Sequence, residues 1–422
     1  MLLVVASMVG TGVFTTTGLL VHGIRSVPAV LLCWVVGGVV ALSGALSYAE
    51  LVAAMPANGG EYQLLSRIYR PWLGFACGWT SLVVGFAAPT AASGIAFGKY
   101  VETLWPGVPP LASALVLVLG MSILHAARLE LGSNIQNVFT AVKIVLIVAF
   151  VCGGLFTGEP ARLAASERPI GAALGSPGFA VGLIFVSFAY SGWNAAAYIA
   201  GELRRPERAA PIALLAGTAI VALLYVGLNV VFLAAAPASA LDNQIAVGHI
   251  AATSLFGDLG GKLLTALIAL GLVSTVGSFV MTGPRVAEAM GLDYPRLRRL
   301  SVRTARGGPI VAIAAQAAIA CVMIATASFD ALLQYIGVTL SVFAMLTVAG
   351  VVVERFHNPA MPRPYRTWGY PVTPAIFIGV TLWSVYYTVR DNPLTAVAAA
   401  CTVGAGVLVY RWAAGSPARS VS

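Results

Sequence analysis

Polar and charged residues along this chain fall in short clusters, and between them run apolar stretches of about 20 residues, the length a helix needs to cross the hydrocarbon core of a bilayer. Taking charged and Pro/Gly clusters as punctuation gives twelve stretches, 1–24, 27–55, 72–98, 110–127, 133–156, 178–202, 209–235, 261–283, 309–327, 331–354, 372–389 and 394–412. The pattern predicts an all-α membrane protein of twelve transmembrane helices, because inside lipid every backbone polar group must be bonded within its own segment. Two stretches are interrupted where they should be strongest. The first contains "VVASMVGTGVFTTTG" (Val4 to Gly18), with Gly10-Thr11-Gly12 at its middle, and the sixth reads "FVSFAYSGWNAAAYIAGEL" (Phe185 to Leu203), with Ser191-Gly192 followed by Trp193 and Asn194. The chain also opens inside the first stretch. Either the natural start lies upstream or this half-helix is bare, and Met1 to Gly10 alone covers about 15 Å, roughly half the bilayer core.

Composition agrees with a membrane setting. Of 422 residues, 59% are hydrophobic and 9% charged, with mean hydropathy +0.91, where soluble domains carry about 25% charged residues. The polar stretches are too short to build a soluble domain of their own. In a soluble chain a net charge of +9 would suggest nucleic acid, but here it reports orientation, because Lys and Arg collect in short cytoplasmic loops. With alternate loops on opposite sides and both termini cytoplasmic, seventeen fall inside, among them Arg67, Arg128, Arg204, Arg299, Arg306, Arg355 and Arg419, and six outside (Arg25, Lys99, Arg162, Arg168, Lys262, Arg390). Cys33, Cys77, Cys152, Cys321 and Cys401 stand far apart, and His22, His125, His249 and His357 sit at segment ends. They suggest neither a disulfide framework nor a metal or other cofactor.

The interruptions carry the chemistry. A glycine inside a helix costs about 1 kcal/mol relative to alanine, and each break frees backbone N–H and C=O groups at bilayer depth, tolerable where they line a cavity or meet a ligand. Either the glycines serve close helix packing, or two breaks five spans apart mark the paired discontinuous helices of a secondary transporter built on an inverted repeat. Helix N-termini attract an anionic group and exposed carbonyls a cationic one, so a zwitterion such as an α-amino acid suits both. A β-branched residue at the break, as in Gly12→Val, is then expected to abolish substrate binding while leaving membrane insertion intact.

These residues also resemble a known family. "VGTGVF" in the first stretch is similar to the first-helix break of the amino acid–polyamine–organocation (APC) superfamily. "SYAELVAAMPANGGEYQLL" (Ser47 to Leu65) looks like its second-helix ending and first cytoplasmic loop, and "PRVAEAMGLDYPRLRRLSVRTARGGPIVAI" (Pro284 to Ile313) resembles the region between helices eight and nine. "FAYSGWNAAAYIAGELRRPERAAPIAL" (Phe188 to Leu214) is most similar to the L-type amino acid transporter branch with its bacterial serine/threonine and alanine exchangers.

The resemblance implies a LeuT-like fold. A first five-helix repeat would fill 1–156 and an inverted copy 178–354, with two peripheral helices at 372–412 and a cytoplasmic tail at 413–422. It also implies that backbone at Gly10, Thr11 and Gly12 binds a substrate carboxylate. Carbonyls near Met8 and from Phe188 through Ala189 and Tyr190 to Ser191 would hold the ammonium. Phe188 would be the aromatic that closes over the substrate, and Tyr190, Trp193 and Asn194 pocket or gate residues. Thr11 stands where relatives more often have Ser or Ala, and Ser191 where many have Gly or an acidic residue, which bears on side-chain selectivity.

Lys143, in "NVFTAVKIVLIVAF" (Asn137 to Phe150), has no neighbouring charge. A charge at that depth costs at least ~2.5 kcal/mol and marks function by default, unless its stem snorkels to the interface. By resemblance its ammonium sits where sodium-coupled relatives bind Na⁺. The implied activity is Na⁺-independent amino acid transport across the cell (inner or plasma) membrane, by exchange (antiport) or H⁺ symport. Lys143 would bridge the first and eighth helices near Gly10 and Ser274-Thr275. Glu50 and Glu202 are either gate ion pairs with loop arginines or interfacial residues. The arginine run from Arg296 to Arg306 reads as topology plus anionic-lipid contact. An enzyme would need convergent His, Asp, Glu or Cys inside the spans, and a channel a polar ring or filter repeat; the sequence displays neither. The remaining alternative is a polyamine or cationic amino acid carrier, for which the spans supply no obvious acid. The expected partners are the amino acid substrate and the lipid bilayer, with no nucleic acid and no obligatory protein partner.

Overall fold

The computed structural model describes residues 1–127, 133–303 and 308–415, with the backbone alone over 133–140. Arg128, Arg306, Arg419 and most of the 413–422 tail lie outside the described residues. Regular structure among the described residues is helical, with β pairing limited to isolated bridges. In chain order the main helices are α1 (Leu2–Met8), α2 (Gly12–Thr15), α3 (Thr17–Ile24), α4 (Val27–Ala54), α5 (Glu61–Ile68) and α6 (Pro71–Leu104). They continue with α7 (Pro110–Ala127), α8 (Ser133–Thr157), α9 (Pro177–Tyr190), α10 (Ala195–Tyr198), α11 (Pro206–Ala235) and α12 (Val247–Asp293). The last four are α13 (Ile310–Thr326), α14 (Phe329–His357), α15 (Val372–Asp391) and α16 (Pro393–Ala414).

Among the described residues, eight helices are long and apolar enough to cross a membrane: α4, α6, α7, α11, α12, α14, α15 and α16. A ninth is added if Leu2–Thr15 and Thr17–Ile24, bent by 51°, form one span. Ala141–Thr157, Pro177–Tyr190 and Ile310–Thr326 are apolar but shorter.

Two boundaries differ from the sequence reading for one physical reason. Helix α6 runs past Lys99 because that ammonium pairs with Glu102 at i,i+3, 3.1 Å away. In α12 the backbone leaves helical geometry at Gly257 (φ 71°), and the helix beyond it begins with Asp258, paired with Lys262 at i,i+4 at 3.0 Å, ahead of the boundary expected at 261. Charged pairs at these spacings lie along a helix surface and do not stop it. A third difference is α5, a short helix inside what reads as a polar loop.

The core lies around α1, α2 and α9, enclosed by α4, α11, α12 and α14. Val4, Val13, Ala29 and Val186 there are fully buried. On the outside, α7, α8 and α16 present large apolar side chains such as Val116, Ile123, Phe156 and Leu408. In water such a surface would aggregate; against lipid tails it is solvated.

Candidate functional site

At the first break α1 ends at Met8, Val9 leaves helical geometry (ψ 82°), and the Gly10 N–H turns back onto the Met8 carbonyl at 2.8 Å. The N–H groups of Thr11 and Val13 find no acceptor among the described residues. The sharp bend falls one turn later, at Thr16. At the second break α9 ends at Tyr190, Gly192 takes φ +97°, and α10 restarts at Ala195.

The two breaks touch. A Cβ built on Gly12 would lie 2.4 Å from Ala189 Cα, and one on Gly192 would lie 2.6 Å from the Ser7 carbonyl oxygen. Both glycines are therefore required for backbone-to-backbone approach, and the packing role set against ligand binding in the sequence is real at both. Gly10 differs: its Cβ would meet only Thr275 Cγ2 at 3.6 Å, an ordinary contact.

A cavity of about 340 Å³ lies beside the breaks, within the range of small-molecule sites. Its walls come from α1 (Ala6, Ser7, with Val9 and Gly10 beyond), α9 and the second break (Phe188, Tyr190, Ser191 to Asn194), the π-helical turn Ser81–Ala87 of α6 (Ser81, Gly85, Phe86), α12 (Thr275, Phe279) and α14 (Ile336, Leu340). Lys143 from α8 and Glu61 from the start of α5 supply the charged groups of that lining.

Gly10, Phe188, Tyr190, Ser191, Asn194 and Lys143 line the cavity, whereas Met8, Thr11, Gly12 and Ala189 do not. Met8 is buried, and its carbonyl accepts two bonds, from Gly10 N–H and from the Tyr225 hydroxyl at 2.5 Å. Thr11 shares a 2.5 Å hydrogen bond with Ser93 on α6. Tyr190 donates to the Trp34 carbonyl at 3.1 Å, and its ring packs with Trp34 and Tyr225 in an aromatic trio. Trp193 meets Tyr48 edge-on at 4.7 Å. The Lys143 ammonium donates to Thr275 Oγ1 at 3.3 Å, and its stem lies against Gly271. Lys143 and α12 thus meet on the cavity edge that Gly10 also lines.

Glu61 is the residue that sequence reasoning missed. It is buried, accepting from the Tyr48 hydroxyl at 2.5 Å, from the Asn194 amide at 2.9 Å and from the Cys77 thiol at 3.8 Å. Burial pushes its carboxyl above the usual carboxylate range, against those hydrogen bonds, which pull it down. Following two glycines in a polar loop, it carries no signal that separates it from a solvated carboxylate.

Of the two acids singled out as gate candidates, Glu50 is 2% exposed and takes both arms of Arg355 (2.9 and 2.7 Å), Arg363 at 3.4 Å and the Thr367 N–H at 2.7 Å. Glu202 is exposed and accepts from Asn58 at 3.3 Å. In the arginine run, Arg303 pairs with Glu288 and Arg296 stacks over Trp412, so both have partners within the protein.

Paired helix breaks around a cavity with one basic and one acidic edge define a permease-like membrane protein, and the sequence profile described as Amino acid permease matches residues 1–407. The chain belongs to that family, and it is a multi-pass membrane protein. It is similar to the serine/threonine exchanger SteT of Bacillus subtilis (strain 168), with 27% identity over 417 residues, 97% of this chain and 94% of that protein. It is similar to b(0,+)-type amino acid transporter 1 of Homo sapiens, with 29% identity over 399 residues, 91% of this chain and 79% of the relative. The human protein named large neutral amino acids transporter small subunit 2 is 26% identical over 424 residues, 97% of this chain and 78% of the relative.

Proposed function

We propose that this protein is a secondary active transporter that moves neutral amino acids across the cell membrane by alternating access. Transport is Na⁺-independent, as exchange or H⁺ symport. The carrying observation is that the two breaks meet beside a cavity of amino acid size, with Lys143 at its edge on Thr275. A family membership and two relatives named as exchanger or neutral amino acid transporter support the substrate class.

In this reading the backbone at Gly10, Thr11 and Gly12 receives the carboxylate, which requires the Gly10 N–H to leave the Met8 carbonyl, and carbonyls of the Phe188–Ser191 segment receive the ammonium. Because the Met8 carbonyl already accepts two bonds, its part in holding the ammonium requires Tyr225 to move. The fixed Lys143 ammonium stands in for a coupling Na⁺. The fold in this proposal is a twelve-helix LeuT-like 5+5 arrangement with both termini cytoplasmic. The repeats cover 1–156 and 178–354, and the peripheral helices 372–412.

The chain is proposed to work without an obligatory protein partner. All five cysteines lie in helices, so the described connecting segments offer no thiol for a disulfide-linked subunit. A second reading, a polyamine or cationic amino acid carrier of the same superfamily, is favoured by Glu61 on the cavity wall, an acid the spans alone do not supply.

The test is a thermal-shift screen of the purified chain against all proteinogenic amino acids and common polyamines. Stabilisation by small neutral amino acids is expected. Stabilisation by polyamines or basic amino acids alone transfers the assignment to the second reading, and stabilisation by none contradicts both.

A further inference from the structure

Helix α10 has four residues, far below the length at which a helix persists by its own hydrogen bonds. Tertiary contacts must therefore hold it, and with it the Ser191–Asn194 turn on the cavity wall. Helices α1 and α11 pack on it, and the segment that leads from α4 into α5 bonds to it directly. Asn58 and Ile199 form an isolated β-bridge, with the Gly59 N–H donating to the Tyr198 carbonyl at 3.0 Å and the Gly201 N–H to Asn58 Oδ1 at 3.0 Å. Asn58 Nδ2 reaches Glu202 at 3.3 Å. At the cavity end, Asn194 Nδ2 donates to Glu61 Oε1 at 2.9 Å.

From this stitching we infer that the Asn58–Glu61 segment is a clamp on the half-helix beyond the second break, and that Glu61 is a positioning residue acting through Asn194 on the substrate-facing turn. A carboxylate accepts several hydrogen bonds at once, so one group serves Tyr48 of α4, Cys77 of α6 and Asn194 together. The titratable groups facing it are Tyr48, Cys77 and Tyr198. Among the described residues no lysine, arginine or histidine forms an ion pair with it, so its charge is balanced by these donors alone. This inference assigns a role within the proposed transport site and rests on that reading for its consequence, though the clamp itself is measurable without substrate.

The experiment is hydrogen–deuterium exchange of the full-length protein in detergent, reading backbone protection over 195–202. Asn194→Asp replaces the donated hydrogen bond with two facing carboxylates. At about pH 8 protection is expected to fall about tenfold, the scale of losing a hydrogen bond to a charged group. At about pH 5 the two carboxylates share a proton and most of the protection returns. The double variant Glu61→Gln/Asn194→Asp exchanges the two chemistries, restoring a donor–carboxylate pair, and is expected to recover protection at both pH values.

Protection unchanged in the single variant, or a double variant no better than the single, overturns the clamp. A packing-only role for Glu61 predicts neither the pH recovery nor the rescue. Counterflow of L-serine in proteoliposomes then reads the consequence: a raised KM in Asn194→Asp that the double variant lowers again. If the wild type moves no amino acid the transport reading fails, while the exchange data still decide the clamp.

Discussion

Gly10 and Gly12 sit two positions apart in the same break yet bear different loads. Gly12 has the Ala189 backbone in the space a side chain needs, whereas Gly10 has room for a methyl group. Gly12→Ala is therefore expected to force α2 and α9 apart. The cost is that of overpacking, about 1–3 kcal/mol, read as a lower melting temperature together with lost binding. This sharpens the expectation for Gly12→Val, whose failure would mix folding with binding. Gly10→Ala is the cleaner probe: near wild-type melting, with any loss confined to ligand-induced stabilisation.

Glu61 offers a second test at this scale. Its carboxyl is held above the usual carboxylate range, so the folded state takes up the proton at higher pH than the unfolded chain does. Folding is then disfavoured by this group once the pH rises through the raised value, and the effect vanishes below the unfolded one. Glu61→Gln, which keeps an acceptor for Tyr48 and Asn194, should melt higher than wild type in mildly alkaline buffer and equally at acidic pH. Unequal melting at low pH or equal melting at high pH would contradict the assignment.

At the level of elements, α4, α14 and the segment leading to α15 are joined by one buried acid. Glu50 on α4 holds Arg355 of α14, Arg363 and the Thr367 N–H, and Arg355 also stacks over Tyr370 at 3.8 Å. Glu50→Gln leaves Arg363, 8% exposed, without its carboxylate. Breaking a buried pair from one side costs about 3–5 kcal/mol, and Arg355 is open enough to water to soften that figure. A melting temperature lowered well beyond the Glu202→Gln control is the expected outcome.

Much at this scale is legible in the sequence, because hydropathy punctuated by Pro and Gly sets where helices can lie, and both breaks announce themselves as glycines inside apolar runs. What is not legible follows from contacts between distant segments. Charges at i,i+3 and i,i+4 read as stops but lie along α6 and α12, and a polar loop holds the short helix α5, which buries Glu61, Leu64 and Leu65 against distant segments. The same limit applies within the site. Backbone breaks can be read from residue type, but which side chains reach the cavity cannot: Thr11 turns to Ser93 and the Met8 carbonyl to Tyr225, while Glu61 turns inward.

Taken as a whole, the molecule brings Lys143 to the cavity edge that Gly10 and α12 also line, with its ammonium on Thr275. That placement makes a chemical prediction about energy coupling: if the Lys143 ammonium takes the place of a coupling Na⁺, as proposed, transport needs no Na⁺. The most direct measurement is amino acid uptake by purified protein in proteoliposomes under imposed Na⁺ and H⁺ gradients. The expected result is saturable uptake that persists in Na⁺-free medium and is driven either by unlabelled amino acid on the far side or by a proton gradient. A strict requirement for Na⁺ would contradict the account.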